Sequence, residues 1–262
     1  MRLSDFNIVY ISLDKRPEKR KYIEDQLSKM GLLENATYFP GIDGETLPKK
    51  IQDYYLSRFK TMAKKRDRII GRIGCYLSHK CILHAAMLSN LDNILILEDD
   101  CNFISKKPNI IIPSPPHDAE MFYLGGLFWN QNPEPLSRLR ENEGQPWILI
   151  DRNYVKLACA LSYGIIGKQN IRSVYNKINN VRPSAIDLLY INYVQFNKQH
   201  KDPTLRDKKP TCYILNPVIC IQEHKFESDV TFKGTKNPQK PYKNSYFYTK
   251  KQENNYYNKL KK

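Results

Sequence analysis

The sequence predicts an α/β fold built on a mainly parallel central sheet flanked by helices, and three observations carry that expectation. Strand-like and helix-like segments alternate through the first half of the chain, the pattern that lays helices on the faces of a parallel sheet. Ile94-Leu95-Ile96-Leu97 is an unbroken apolar run, as in a strand buried on both faces. That run ends in Glu98, Asp99 and Asp100. Burying three adjacent acids without partners costs on the order of several kcal/mol, so they belong at the strand's open carboxyl end. Open α/β sheets bind their ligands there. Carboxylate oxygens suit Mg²⁺ or Mn²⁺, ions that commonly bridge a protein to a pyrophosphate. A solvated acidic turn is the plainer alternative.

At 262 residues the chain fits one large domain, or one domain with an appendage. No apolar stretch is long enough to span a bilayer. The start, Met1 to Asn7, carries an acid and a single basic side chain ahead of any apolar run and does not read as a secretory signal. Six cysteines (Cys75, Cys81, Cys101, Cys159, Cys212, Cys220) show no paired spacing and read as buried thiols of a reducing compartment. The net charge of +15 implies an acidic partner: nucleic acid, an anionic membrane or a phosphorylated substrate. Lys225 to Lys262 holds ten lysines against Glu227, Asp229 and Glu253, so the C-terminal stretch is either a solvated tail or an interaction segment.

Asn7 to Leu13 is dense in β-branched and apolar residues and opens the sheet. Asp14-Lys15-Arg16-Pro17 then turns into a helix with Ile23, Leu27 and Met30 on one face and Gly31 as its stop. Arg16 and Arg20 stand one turn apart near the first strand's end, where guanidinium and backbone N–H groups would converge on an anion. A solvated basic helix face explains them equally. Thr37 to Ile42 reads as the second strand, ending in the turn Asp43-Gly44. Lys49 to Arg72 reads as helix and loop. Gly71-Arg72-Ile73-Gly74-Cys75 opens the next helix, with Ile73, Leu77, Cys81, His84 and Leu88 as its apolar stripe. On that phasing His84 is a core histidine, and Ser78 and His79 project off the stripe. The two glycines admit a close backbone or a ligand. Asn90 to Asn93 then turn into the Ile94 strand.

Further strands are expected at Ala119 to Gly126, Val155 to Ile166 and Tyr213 to Ile221. Helices are expected at Asn170 to Val181 and over Leu188, Leu189, Ile191 and Val194. Lys107 to Pro116 and Gln131 to Pro146 read as loops, the second long enough to be a lid or acceptor-binding segment. No Gly-rich dinucleotide or P-loop signature is present.

Several of these segments together resemble glycosyltransferase family 25, which holds lipooligosaccharide and collagen galactosyltransferases. They are Ile11-Ser12-Leu13 with Arg16 and Arg20, Ile42-Asp43-Gly44, the run from Gly71 to His79, and Leu95 to Asp100. Tyr123-Leu124-Gly125, Ser162 to Ile166, Pro183 with Asp187, and Pro217 through Gln222 to Ser228-Asp229 follow in order. The Gly-Cys-x-x-Ser-His segment followed by Leu-Glu-Asp-Asp is the most specific part. Arg72 and Lys80 depart from the family's acidic and apolar residues at those places and bear on acceptor contacts.

The resemblance implies a GT-A-like domain over residues 1–230, an inverting reaction, a UDP-sugar donor (most often UDP-galactose) and Mn²⁺ or Mg²⁺. It implies a donor site around Ser12, Leu13, Arg16, Arg20, Asp43, Gly74, Ser78 and His79, and metal ligands at Glu98, Asp99 and Asp100, with His224 as an additional one. A metal there would neutralise the leaving diphosphate. The general base taking the acceptor's proton would be Asp187, which also suits a helix N-cap, or else Asp229. His79 as a plain helix-surface residue stays open.

The tail, residues 231–262, interleaves Phe232, Tyr242, Tyr246, Phe247, Tyr248, Tyr256 and Tyr257 with its lysines. That composition suits an anionic membrane, each nearby Lys contributing about 1 kcal/mol. The expectation is a cytoplasmic enzyme, peripheral on the inner face of the membrane, acting on a glycolipid or saccharide acceptor of lipooligosaccharide or lipopolysaccharide. A protein acceptor, such as collagen-like hydroxylysine, is the alternative. A basic nucleic-acid-binding protein is disfavoured, since the acidic cluster would repel phosphate and no nucleic-acid motif is present.

Overall fold

The computed structural model describes residues 1–60, 65–104, 108, 110–125, 144–150, 161–195, 212–216 and 218–223. His224, Asp229, the Val155 to Ala160 stretch, most of the Gln131 to Pro146 loop and the whole tail with its boundary at residue 230 lie outside the described residues. The strands are β1 (Ile8–Ser12), β2 (Ala36–Pro40), β3 (Asn93–Glu98), β4 (Cys101–Phe103), β5 (Met121–Tyr123), β6 (Trp147–Leu149), β7 (Ser162–Ile166), β8 (Cys212–Leu215) and β9 (Cys220–Gln222). The helices are α1 (Pro17–Lys29), α2 (Lys49–Arg58), α3 (Arg66–Leu88), α4 (Lys168–Asn179) and α5 (Ile186–Leu189).

Seven strands form one mixed sheet in the order β2-β1-β3-β7-β5-β8-β6, while β4 and β9 make a separate antiparallel pair. β1 runs parallel to both β2 and β3, and β5 parallel to β8. β7 enters antiparallel between β3 and β5. The α/β class is therefore the one the alternating pattern implies. Strand alternation splits the core in two. Ile94 and Ile96 join Ile73, Tyr76 and Ile82 of α3 and Val174 of α4, whereas Leu95 and Leu97 join Ile23 and Leu27 of α1. Each such side chain contributes about 1.5–3 kcal/mol by leaving water. α1 stops as expected, with Gly31 at φ 67° supplying the left-handed residue that ends so many helices.

Three expectations need correction. α3 begins at Arg66, so Gly71 and Gly74 lie inside it. Its buried face comprises Ile70, Ile73, Tyr76, Ser78, His79, Ile82, Leu83 and Ala86, whereas Cys81 and His84 are exposed and Leu88 is 70% exposed. His84 is not a core histidine; it stacks on Tyr175 at 5.1 Å. The apolar stripe was misphased because two polar residues occupy the buried face, where periodicity counts only apolar ones. Tyr213 to Ile221 likewise is not one strand. It splits into β8 in the large sheet and β9 in the small one, with β8 ending at Leu215 and β9 beginning at Cys220.

Candidate active site

Chain connections leave β1 towards β2 on one side and return to β3 on the other, so the carboxyl ends of β1 and β3 flank a topological switch point. Open α/β sheets bind ligands in that crevice. Ile11 pairs with Glu98 across it. The acidic run is the end of β3 and the tight turn into β4, and its three side chains diverge. Ser12 Oγ at the end of β1 donates to Asp99 Oδ2 at 2.8 Å. Gln222 Nε2 on β9 donates to Asp100 Oδ2 at 2.8 Å, and the Glu223 N–H donates to the Asp100 carbonyl at 2.7 Å. Glu98 turns towards α3, with Oε1 3.0 Å from His79 Nε2 and 3.9 Å from Cys75 Sγ.

This geometry shapes the electrostatics. Burial, and then the Asp99 charge, push the Glu98 carboxyl up to about 7. Burial, and then the Glu98 charge, push Asp100 up to about 7. Lys19, in the first turn of α1 and only 5% exposed, opposes both shifts. Burial takes His79 down to about 4, against a weaker upward pull from Asp187. At neutral pH the His79–Glu98 contact is therefore a hydrogen bond to a neutral imidazole, not an ion pair. Asp187 also acts electrostatically on Cys75, so α5 brings it to the same site. It sits second in α5, behind an N-cap at Ala185, so its side chain is not the cap. The preceding Pro183-Ser184 is pinned by bonds from the Lys60 N–H to the Pro183 carbonyl and from Ser184 Oγ to the Lys60 carbonyl, both at 2.7 Å.

A divalent cation fits this donor set. Asp100 Oδ1 is buried and has no hydrogen-bond partner among the described residues. A buried anionic oxygen left so is costly, and a bound cation supplies the missing partner. The acidic run is not a closed cage, however. Among the described residues the group of donor atoms lying within 4.8 Å of one another is Cys75, His79 and Glu98. Both His79 nitrogens there are already engaged, Nδ1 being 2.8 Å from the Tyr163 hydroxyl. A hard cation held by one or two carboxylates and completed by water and phosphate oxygens suits the acidic turn better.

The other expected site residues divide by role. Ser78 Oγ accepts from the Ile42 N–H at 2.8 Å and donates to the Gly74 carbonyl at 2.9 Å, so it holds the Ile42 to Gly44 turn onto α3. Gly74 serves the same crossing: a Cβ there would lie 2.3 Å from the Ile42 carbonyl oxygen. The close approach is by backbone. Asp43 caps the Glu45 N–H and pairs with Lys15 at 2.6 Å. The Leu13 carbonyl accepts from the Arg16 N–H. Arg16 pairs with Glu18 at 2.7 Å. Arg20 pairs with Glu24 at 2.9 Å and lies over the Tyr38 ring at 3.8 Å. His79 is 1% exposed, which removes the helix-surface reading. Lys19, Cys75, Tyr163, Tyr190 and Gln222 were not singled out as site residues. Lys19 differs from Arg16 and Arg20 only in helix phase; Cys75, Tyr163 and Gln222 fall in segments that carry the resemblance but had no role assigned to them, and Tyr190 lies beside the apolar residues of its helix.

With this geometry in place, comparison with known proteins decides the family. The family model described as "Glycosyltransferase family 25 (LPS biosynthesis protein)" matches residues 6–190, which takes in every described site element up to the start of Tyr190. The chain belongs to glycosyltransferase family 25. A "Glycosyltransferase 25 family member" of Aedes aegypti is 34% identical over 101 residues, 37% of this chain and 16% of that protein. One of Drosophila melanogaster is 33% identical over 106 residues, 39% of this chain and 17% of that protein. A "Probable inactive glycosyltransferase 25 family member 3" of Rattus norvegicus is 28% identical over 100 residues, 37% of this chain and 17% of that protein. The match thus spans about a sixth of these relatives' length. A crystal structure of a glycosyltransferase involved in glycosylating the major capsid of PBCV-1 aligns over 84% of this chain and 93% of that one, at 9% identity and a TM-score of 0.41. At that distance it adds nothing to the family assignment.

Proposed function

We propose that this family 25 chain transfers a hexose, galactose in the first instance, from a UDP-sugar to a saccharide hydroxyl, with inversion. The observation that carries the reading is Asp100: a carboxylate at a sheet switch point, pushed up to about 7 by burial and by Glu98, with a buried oxygen that has no hydrogen-bond partner among the described residues. Asp100 and Glu98 would hold a divalent ion, Mn²⁺ or Mg²⁺, with Asp99 kept in place by Ser12. Such an ion supplies charge neutralisation to the departing diphosphate. Lys19 adds a fixed positive charge on the same side. The acceptor oxygen bonds to the anomeric carbon as the bond from that carbon to the diphosphate oxygen breaks. Asp187 receives the hydroxyl proton, and an inverting displacement needs no second protein base. His224 and Asp229 remain candidates as metal ligand and alternative base.

The acceptor in this reading is a lipooligosaccharide or other glycolipid saccharide presented at the cytoplasmic face of a membrane, with the basic aromatic tail as the contact. What supports it is the family description and the ten lysines of the last 38 residues. No helix among the described residues is long and apolar enough to cross a membrane.

The test is UDP release from a panel of UDP-sugars with Mn²⁺ or with EDTA, by wild-type protein and Asp100→Ala. Turnover of one sugar, dependent on the metal and lost in the variant, bears the reading out. No turnover and no thermal shift with any UDP-sugar rejects it.

A further inference from the structure

His79 sits in a buried chain of hydrogen bonds that the transfer chemistry above does not use. Glu98 Oε1 is 3.0 Å from His79 Nε2, and His79 Nδ1 is 2.8 Å from the Tyr163 hydroxyl. The Tyr163 hydroxyl is in turn 2.6 Å from that of Tyr190. His79, Tyr163 and Tyr190 are each no more than 1% exposed. The rings lock together as well, Tyr163 stacking on His79 at 5.7 Å and Tyr190 meeting both edge-on at 6.3 and 5.0 Å. Three separate elements converge on the end of β3: α3 brings His79, β7 brings Tyr163, and the π-turn Tyr190–Gln195 that continues α5 brings Tyr190. Turns of that kind are frequent at functional sites.

Proton counting sets the direction of the chain. An ionised Glu98 can only accept, so His79 Nε2 must carry the hydrogen. A neutral imidazole then leaves Nδ1 as an acceptor, which takes the Tyr163 proton. Tyr163 oxygen accepts in its turn from Tyr190. Each hydroxyl has one proton, so once Glu98 is a carboxylate no other order satisfies every link. All the donors point towards Glu98, and hydrogen bonds aligned in this way strengthen one another. Phenylalanine would fill the same apolar space, so the two hydroxyls are there for the chain, and a hydroxyl orphaned at this depth is costly.

We propose that Tyr163 and Tyr190 are positioning residues: by donating along the chain to Nδ1 they hold the His79 ring with its Nε2–H on Glu98 and, through it, hold the Glu98 carboxylate by Oε1 so that its other oxygen serves the cation. The part concerning the cation rests on the glycosyltransferase reading; the lock on the ring does not. A carboxylate that ligates a metal is itself held by outer-shell hydrogen bonds, and losing such a partner typically costs 10–100-fold in metal affinity or activity. It also joins the metal side of the site to the segment carrying Asp187, three residues before Tyr190 in sequence.

The experiment uses the full chain labelled with ¹⁵N-histidine, at pH 8, as wild type, Tyr163→Phe and Tyr190→Phe, with His79→Asn identifying the resonance. Long-range ¹H–¹⁵N spectra report which ring nitrogen carries the proton, and Mn²⁺ affinity is measured beside them in the presence of UDP. The expected result is an Nε2–H imidazole in the wild type with Nδ1 showing the shift of a hydrogen-bonded acceptor, loss of that hydrogen-bonded shift in Tyr163→Phe, and a smaller change in Tyr190→Phe. Mn²⁺ affinity should fall about tenfold in Tyr163→Phe while the circular dichroism spectrum stays unchanged. A wild-type His79 carrying its proton on Nδ1, or an Nδ1 resonance unmoved by both substitutions, overturns the lock. Unchanged Mn²⁺ affinity in a variant whose Nδ1 resonance has moved overturns the positioning role. A wild type that binds no Mn²⁺ with UDP rejects the glycosyltransferase reading, and the Nδ1 shifts still decide the lock.

Discussion

Gln222 Nε2 donates to Asp100 Oδ2 at 2.8 Å, and the other oxygen of the same carboxylate is buried without a hydrogen-bond partner among the described residues. One contact from a strand of the small sheet thus orients the carboxylate and leaves half of it unsatisfied. A site built in this way trades stability of the metal-free protein for affinity towards a cation. Asp100→Asn keeps the shape and removes the charge. In EDTA at pH 8 it should stabilise the protein by on the order of 2 kcal/mol. With millimolar Mn²⁺ the order should reverse, because only the wild type gains binding energy. Urea denaturation of both proteins under both conditions checks this.

The pH dependence of the metal-free protein follows from three groups. Glu98 and Asp100 titrate at about 7 when folded, against ordinary values of 4.5 and 3.8. His79 titrates at about 4, against 6.5. Between pH 4.5 and 6.5 the folded state therefore holds two protons on the acid pair that the unfolded chain has lost, and lacks the one on His79 that the unfolded chain keeps. The folded state binds one more proton, so stability falls as pH rises through this window, by about 1.4 kcal/mol per unit. From 6.5 to 7 only the acid pair contributes. Denaturation midpoints in EDTA from pH 4.5 to 8 should show that decline, and saturating Mn²⁺ should remove most of it above pH 6.5.

Lys19 and Arg20 are neighbours with different duties. Lys19 is buried and lowers the pKa of both Glu98 and Asp100, whereas Arg20 is taken up by Glu24 and the Tyr38 ring. Lys19→Met should move the acid pair's titration above pH 7, so that Mn²⁺ binding at pH 7.5 releases more protons than in the wild type. Arg20→Met should leave proton release unchanged and move the denaturation midpoint little, as expected for a surface ion pair. Calorimetry in two buffers of different ionisation enthalpy measures the proton count.

Gly74 and Gly41 offer a packing test. A Cβ at Gly74 would meet two backbone atoms, the Ile42 oxygen at 2.3 Å and the Gly44 nitrogen at 2.7 Å. At Gly41 the nearest atom is Leu13 Cδ2 at 3.2 Å, the end of a flexible side chain. Gly74→Ala should cost about 1–3 kcal/mol or more, because the turn carrying Asp43 must move. Gly41→Ala should cost less than about 1 kcal/mol. Chemical denaturation of the two variants separates them.

Much of this arrangement was legible in the chain. Ile94 to Asp100 announced both a buried strand and a functional end, since burial and charge cannot coexist in adjacent residues without a site to explain them. The helix after the first strand was readable from Pro17, the spacing of Ile23, Leu27 and Met30, and Gly31. His79 was named for the donor site on the resemblance, but its burial was not readable, because it serves Glu98 and Tyr163, residues distant in sequence, and an apolar period counts a polar residue as solvent-facing. The same blindness put His84 in the core. β4 was missed and β9 was merged into one long strand because each is a three-residue strand paired with the other across more than a hundred residues. Gln222 could be recognised only once that pairing had brought it to Asp100.

The central claim is that the acidic turn after β3 holds the cation that receives the donor diphosphate. Electron paramagnetic resonance of Mn²⁺ tests it directly, by titrating wild type and Asp100→Ala with and without UDP. One bound Mn²⁺ per chain is expected in the wild type, tightened by UDP and weakened at least tenfold in the variant. Mn²⁺ bound equally well by Asp100→Ala, or indifferent to UDP, would contradict it.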